Sequence, residues 1–176
     1  GYTVYPRIHV NEELTFSLDD YSVTFGVLDN SNNFTAVTST TSTISTNAAS
    51  GWVLRAYTTQ RMTHGNLAQY TIADWAGTNE TPTAWTGNCI TNSQCGFGYS
   101  TDDSTLTGGA ADRFTATKSY AGFTHGDQNS NGDPVGDGAG FASGVETQID
   151  YRISVPVTQA AGVYNTTVVY IATPTF

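Results

Sequence analysis

Asp127-Gln128-Asn129-Ser130-Asn131-Gly132-Asp133 carries oxygen-bearing side chains at alternate positions and a glycine at the sixth, the first half of a D-x-[DN]-x-[DN]-G calcium loop. Oxygens so spaced converge on one hard cation, and Gly132 allows the tight turn. The pattern breaks at its twelfth position, where Gly138 stands in place of a bidentate Glu, and Pro134 follows Asp133 directly. Two readings stand: a structural Ca2+ held by Asp127, Asn129, Asn131 and Asp133, or a plain polar turn. Neither requires a cofactor for function.

Cys89 and Cys95 are the only cysteines, separated by a short loop in GNCITNSQCGFGYS with no His nearby to complete a zinc site. An even count and a spacing unlike the C-x-x-C of exchange catalysts read as a small-loop disulfide, and hence an oxidising compartment. His9, His64 and His125 fall in separate segments without i, i+2 or i, i+4 pairing and read as exposed or edge histidines. No G-x-S-x-G elbow, Walker loop or H-E-x-x-H occurs. Asp19, Asp20, Asp102, Asp103 and Glu146 are the acids a glycosidase would draw on. Adjacent Asp pairs in turns are ordinarily solvated or capping groups, so the expectation is a protein that is not an enzyme.

Trp75 and Trp85 lie in loop-like contexts where exposed indoles could stack on sugar rings, whereas Trp52 sits in a strong strand and reads as core. Asn33-Phe34-Thr35, Asn79-Glu80-Thr81 and Asn165-Thr166-Thr167 match N-x-[ST], making Asn33, Asn79 and Asn165 candidate glycan acceptors.

The framework around these groups is strand and turn. Thr, Ser, Gly, Asn, Val and Tyr dominate the 176 residues, which favours pleated surfaces over helices, and the length suits one domain. Net charge is −9, from 6 Lys plus Arg against 15 Asp plus Glu. Such a surface repels phosphate backbones and anionic headgroups, so nucleic acid and the membrane surface are excluded as partners. No apolar run could span a bilayer, and a chain beginning at Gly1 rather than Met reads as a secreted protein whose leader has been removed.

LTFSL at 14–18, YSVTFGVL at 21–28, FTAVTSTTSTIST at 34–46, WVLRAYTT at 52–59, VETQIDYRISVPV at 145–157 and GVYNTTVVYIATPTF at 162–176 alternate in period two. The 34–46 and 52–59 runs read as a hairpin-like pair, and the last two as a hairpin closed by TQAA. RFTATKSYAGF at 113–123 reads as a strand inside a loop-rich middle third. The pattern predicts an all-β fold, an antiparallel β-sandwich of immunoglobulin-like or jelly-roll topology with long loops in the middle third. It forms a single domain over 13–176, preceded by an extended segment over 1–12. Tyr2, Val4, Ile8 and Val10 give that segment one apolar face, set off by Asn11-Glu12-Glu13. Such a strand either pairs within its own domain or fills an open sheet edge of another copy.

FGVL at 25–28, TISTNAASGWVLRAYTT at 43–59 and QAAGVYNTTVVYIATPTF at 159–176 resemble the β-sandwich modules of bacterial cell-surface proteins, including WxL-type domains, many of which end in an AG-x-Y-x-x-x-x-x-Y strand. The C-terminal piece is also similar to the last strand of spore-coat U and fimbrial-type subunits. The resemblance implies a secreted, non-catalytic protein that assembles on, or attaches to, surfaces. The expected function is therefore a structural subunit of an extracellular filament, pilus or surface layer, a homopolymer linked by strand donation. The alternative is a glycan-binding adhesin module whose partners are surface glycans.

Overall fold

The computed structural model describes residues 7–126 and 132–176. Its strands are β1 (Leu14–Leu18), β2 (Thr35–Thr46), β3 (Trp52–Thr58), β4 (Thr63–His64), β5 (Thr83–Ala84), β6 (Gly96–Thr101), β7 (Ser119–Tyr120), β8 (Asp133–Gly138), β9 (Ala142–Ser154), β10 (Tyr164–Asn165) and β11 (Val168–Pro174). Two antiparallel sheets, ordered β1-β2-β9-β6 and β11-β3-β8, pack face to face as an all-β sandwich. Period-two alternation selects the inner faces: Trp52, Leu54, Ala56 and Thr58 of β3 are buried, as are Thr147, Ile149, Tyr151 and Ile153 of β9, while the residues between them are less so.

Both expected hairpins are instead corners between the sheets. β2 pairs β1 and β9, whereas β3 pairs β11 and β8; β9 pairs β2 and β6, whereas β11 pairs β3. Alternation dictates which face a strand buries and not which strand lies beside it, so two strands whose buried faces oppose across the core carry the same signature as a hairpin. At the first corner, Gly51 has φ +100°, and a Cβ there would lie 2.2 Å from the Gly138 carbonyl oxygen.

The expected strand over 113–123 also fails: only Ser119 and Tyr120 form strand, and the preceding residues are turns. Arg113 is the cause. Its guanidinium donates to the carbonyls of Asn79 (2.6 Å), Leu106 (2.5 Å) and Thr107 (2.9 Å), and a group that gathers three backbone oxygens winds the loop around itself.

The two ends of the sandwich differ. At one, Leu14 pairs Thr46, Trp52 pairs Pro174, and the turns at 47–51 and 139–141 lie together; residues 7–13 leave from this end. At the other, Thr35 pairs Ser154, Thr58 pairs Val168, and the turn at 29–34 meets Val155. Among the described residues no helix is long and apolar enough to cross a membrane.

Candidate functional site

After Leu18 the chain leaves β2, turns through Asp19 and Asp20, and runs extended over 21–28 along the mouth of the sandwich. The segment turns Val23 and Phe25 to the core in the expected alternation, but its phase breaks at Gly26 (φ +70°), so that Leu28 packs inward and Val27 is exposed. Its backbone joins no ladder: among the described residues the recorded bonds of 21–28 are local, from Ser22 N to Asp20 Oδ1 (2.8 Å), Gly26 N to Thr24 Oγ1 (3.2 Å) and Asn32 Nδ2 to the Val27 carbonyl (2.7 Å). Across from it is the edge of the smaller sheet, where β11 pairs β3 on one side and, among the described residues, no strand on the other.

Between them lies an open apolar slot of about 670 Å³, walled by 23–28 on one side and 156–168 on the other, with Phe97, Tyr151 and Ile153 at its floor. The core itself reports the gap. Its side chains from the middle of the sheets are buried, but apolar side chains that line the slot are only partly so: Val23, Phe25 and Leu28 on one lip, Tyr164 and Val168 on the other.

His64 builds the far wall. Its Nδ1 accepts from the backbone N–H groups of Asn66 and Leu67 (both 3.1 Å), so Nε2 carries the proton and donates to the Ala161 carbonyl (3.2 Å). Tyr164 meets the ring edge-on at 5.2 Å. Expected as an exposed or edge residue, His64 is buried, because its two ring nitrogens tie the 64–67 turn to the 161–164 wall.

The slot has charge at its approaches. The Thr41 backbone N–H and the Thr40 hydroxyl hold the Asp19 carboxyl below the usual carboxylate range, and Ser31 does the same for Asp29. Under the slot, the hydroxyls of Tyr151 and Tyr170 hydrogen-bond to each other. Burial pushes the Tyr151 phenol up to about 12 and that of Tyr170 well above its ordinary value.

No family model matches the chain, and no curated protein is similar to it.

The predicted site residues distribute as follows. Cys89 and Cys95 form a disulfide that closes the short helix α1 (Cys89–Asn92). Ile8 (91% exposed) and Val10 (70% exposed) point into solvent, and among the described residues 7–13 pairs with no strand; Tyr2 and Val4 lie outside the described residues. Of the calcium ligands, Asp127, Asn129 and Asn131 also lie outside the described residues. Asp133 is on β8, where burial raises its carboxyl against the opposing donors of Thr124. Gly132 has the predicted left-handed φ, +77°, and a Cβ there would sit 2.5 Å from the Ala56 carbonyl oxygen.

Trp75 and Trp85 do not form an exposed platform. They are buried, stacked on each other at 3.9 Å, with Tyr120 edge-on at 5.6 Å to Trp85 and the Arg152 guanidinium 4.9 Å from the Trp85 ring. Each indole thus finds its ring partner inside the protein. Asn79 is likewise closed to glycosylation in the folded chain: its amide donates to Tyr99 Oη and the Pro134 carbonyl (both 2.8 Å) and accepts from Arg113 (2.9 Å). Asn33 and Asn165 are exposed, Asn165 on the slot's rim.

The fold does bring one histidine into a chain of the kind that activates nucleophiles. His125 Nδ1 meets Thr58 Oγ1 and Nε2 meets Asp74 Oδ2, both at 2.8 Å, with Arg61 Nε donating to the same Asp74 oxygen at 2.9 Å. Thr58 is only 1% exposed, and its backbone is pinned by Thr124 and Gly126. The cluster therefore clips loops to β3 and presents no hydroxyl to a substrate. Asp102, Asp103 and Glu146 do gather, with Asp137, around a shallow pocket. The aspartates there accept backbone N–H groups of Gln148, Thr105, Asp137 and Thr107 at 2.8–2.9 Å, the behaviour of loop caps.

Proposed function

We propose that this chain is a non-catalytic structural subunit of an extracellular polymer, in which residues 1–10 of one copy fill the slot of the next. The observation that carries the reading is the open apolar slot, whose lining residues Val23, Phe25 and Leu28 on one side and Tyr164 and Val168 on the other are only partly buried. Residues 1–10 have the matching character, with Tyr2, Val4, Ile8 and Val10 in one period-two phase, and Ile8 and Val10 project free of their own domain. An added strand would gain main-chain bonds from the free edge of β11 and bury apolar side chains at the same time. Charge agrees: 1–10 contains Arg7 and no carboxylate, while Asp19, Asp20 and Asp29 bracket the unpaired lip. Pro6 falls in the apolar phase and lacks an N–H, so the donated strand forgoes one ladder bond there. The disulfide supports an oxidising, extracellular setting, and a Thr-rich sandwich suits a durable subunit.

Electron microscopy beside size-exclusion chromatography, applied to the full chain and to a variant lacking residues 1–10, tests this. Filaments or oligomers from the full chain and a folded monomer from the truncated one are expected. Monomers in both samples refute the reading.

A further inference from the structure

We infer that the polymer is also held by an end-to-end contact between bodies, in which Phe141 of the donating copy seats on the valine-rimmed mouth of the acceptor's slot. This rests on the strand-donation reading, and the sheet topology supplies its direction. β11 runs from the Phe34 end of the sandwich to the end where residues 7–13 leave, since Val168 pairs Thr58 and Pro174 pairs Trp52. β1 and 21–28 run the opposite way, since Leu14 pairs Thr46 and the segment ends at the 29–34 turn. A strand added antiparallel to β11, the more stable pairing, therefore lies parallel to 21–28. Its residue 1 is at the acceptor's N-terminal end and its residue 10 at the Phe34 end. Only a few residues, 11–13, then separate the inserted strand from β1 of its own body, so the donor's N-terminal end is brought against the acceptor's Phe34 end.

Those two ends carry exposed apolar side chains. On the acceptor, Val27, Val157 and Val163 (75% exposed) rim the slot. On the donor, Phe141 is 74% exposed at the tip of the β8–β9 turn, beside the 47–51 turn whose Asn47 holds the Asn11 carbonyl (2.7 Å) and the Glu13 N–H (2.8 Å). The Asn47 bonds fix the direction in which the donated strand leaves the body, and so which turn faces the partner. A phenylalanine so exposed contributes little to its own core, and the three exposed valines beside the inserted strand are an apolar surface it can cover. The contact is heterologous, each copy offering Phe141 at one end and the valine rim at the other, so it propagates without closing on itself.

The test separates the strand from the body contact. A synthetic peptide of residues 1–10 is titrated into the chain lacking those residues, and into the same truncated chain carrying Phe141→Asp. Assembly of the full chain is then measured for the wild type, Phe141→Asp and Phe141→Leu. We expect the peptide to bind both truncated chains within about twofold, Phe141→Asp to raise the concentration needed for assembly at least tenfold, and Phe141→Leu to restore it. Unchanged assembly of Phe141→Asp beside normal peptide binding overturns the body contact and leaves strand donation standing. Altered peptide binding by Phe141→Asp also overturns it, since the residue would then act through the slot. Failure of the peptide to bind the truncated wild-type body removes both proposals together.

Discussion

Tyr151 from β9 and Tyr170 from β11 meet hydroxyl to hydroxyl beneath the slot, a polar contact between the two sheets inside an apolar core. Burial raises both phenols, Tyr151 to about 12, against an ordinary value of 10.0. The folded chain thus holds these protons more tightly than the unfolded chain does. The associated stability is fully present below about pH 10 and is lost as pH rises toward 12. Urea melts at pH 8 and pH 11.5 should show that loss, and Tyr151→Phe with Tyr170→Phe should reduce it. Tyr99, also raised by burial, leaves a residual slope in the double variant. A pH dependence identical in both proteins would exclude the pair as its source. Replacing both residues matters, because Tyr151→Phe alone strands the buried Tyr170 hydroxyl at a cost of about 1–3 kcal/mol.

In the proposed assembly the segment 21–28 is one lip of the slot that the donated strand fills, and its unpaired backbone gives it a distinct signature. β2 and β9 are bonded on both sides, so their amides open only with the body of the sandwich, while those of 21–28 have no ladder bond to open and only the local bonds of Ser22 and Gly26 to break. In the truncated monomer, hydrogen exchange should be complete within seconds over 21–28 and slow over β2 and β9; addition of the 1–10 peptide should slow exchange along β11's free edge and over 21–28. Protection of 21–28 before any peptide is added would mean the lip is already paired. The core-facing side of 21–28 was legible from Val23 and Phe25, although the segment forms no strand; β1, β2, β3, β9 and β11 were legible from their alternation. Their partners were not, because period two encodes a face and leaves the neighbour open, and both expected hairpins proved to be corners for that reason. The same limit hid the slot: a missing strand is a property of sheet order. Trp75 and Trp85 misled in the opposite sense, since loop-like flanks predicted exposure while each ring had the other to stack on. Cys89 and Cys95 were readable because a short loop between the only two cysteines leaves few alternatives.

At the scale of the whole molecule, one direction follows from the course of the first 28 residues. The exit of 7–13 from one end of the sandwich, the run of β1 and 21–28 to the other, and the opposed direction of β11 allow successive copies to stack in a single orientation without reversing the chain. A polymer built this way is polar, every subunit related to the next by one translation and rotation along the fibre. Its axial repeat is set by the height of one body. The longest strand, β9, has 13 residues, which at a rise of about 3.4 Å per residue spans roughly 44 Å. Turns at both ends bring the expected repeat to about 50 Å. Helical reconstruction from cryo-electron micrographs should therefore give a polar filament with that axial rise. Two-fold axes perpendicular to the fibre would exclude this stacking, because they require like ends to meet, which an inserted strand antiparallel to β11 does not permit. A rise well beyond 50 Å in a polar filament would place the donated strand as the sole link between copies, with Phe141 left in solvent.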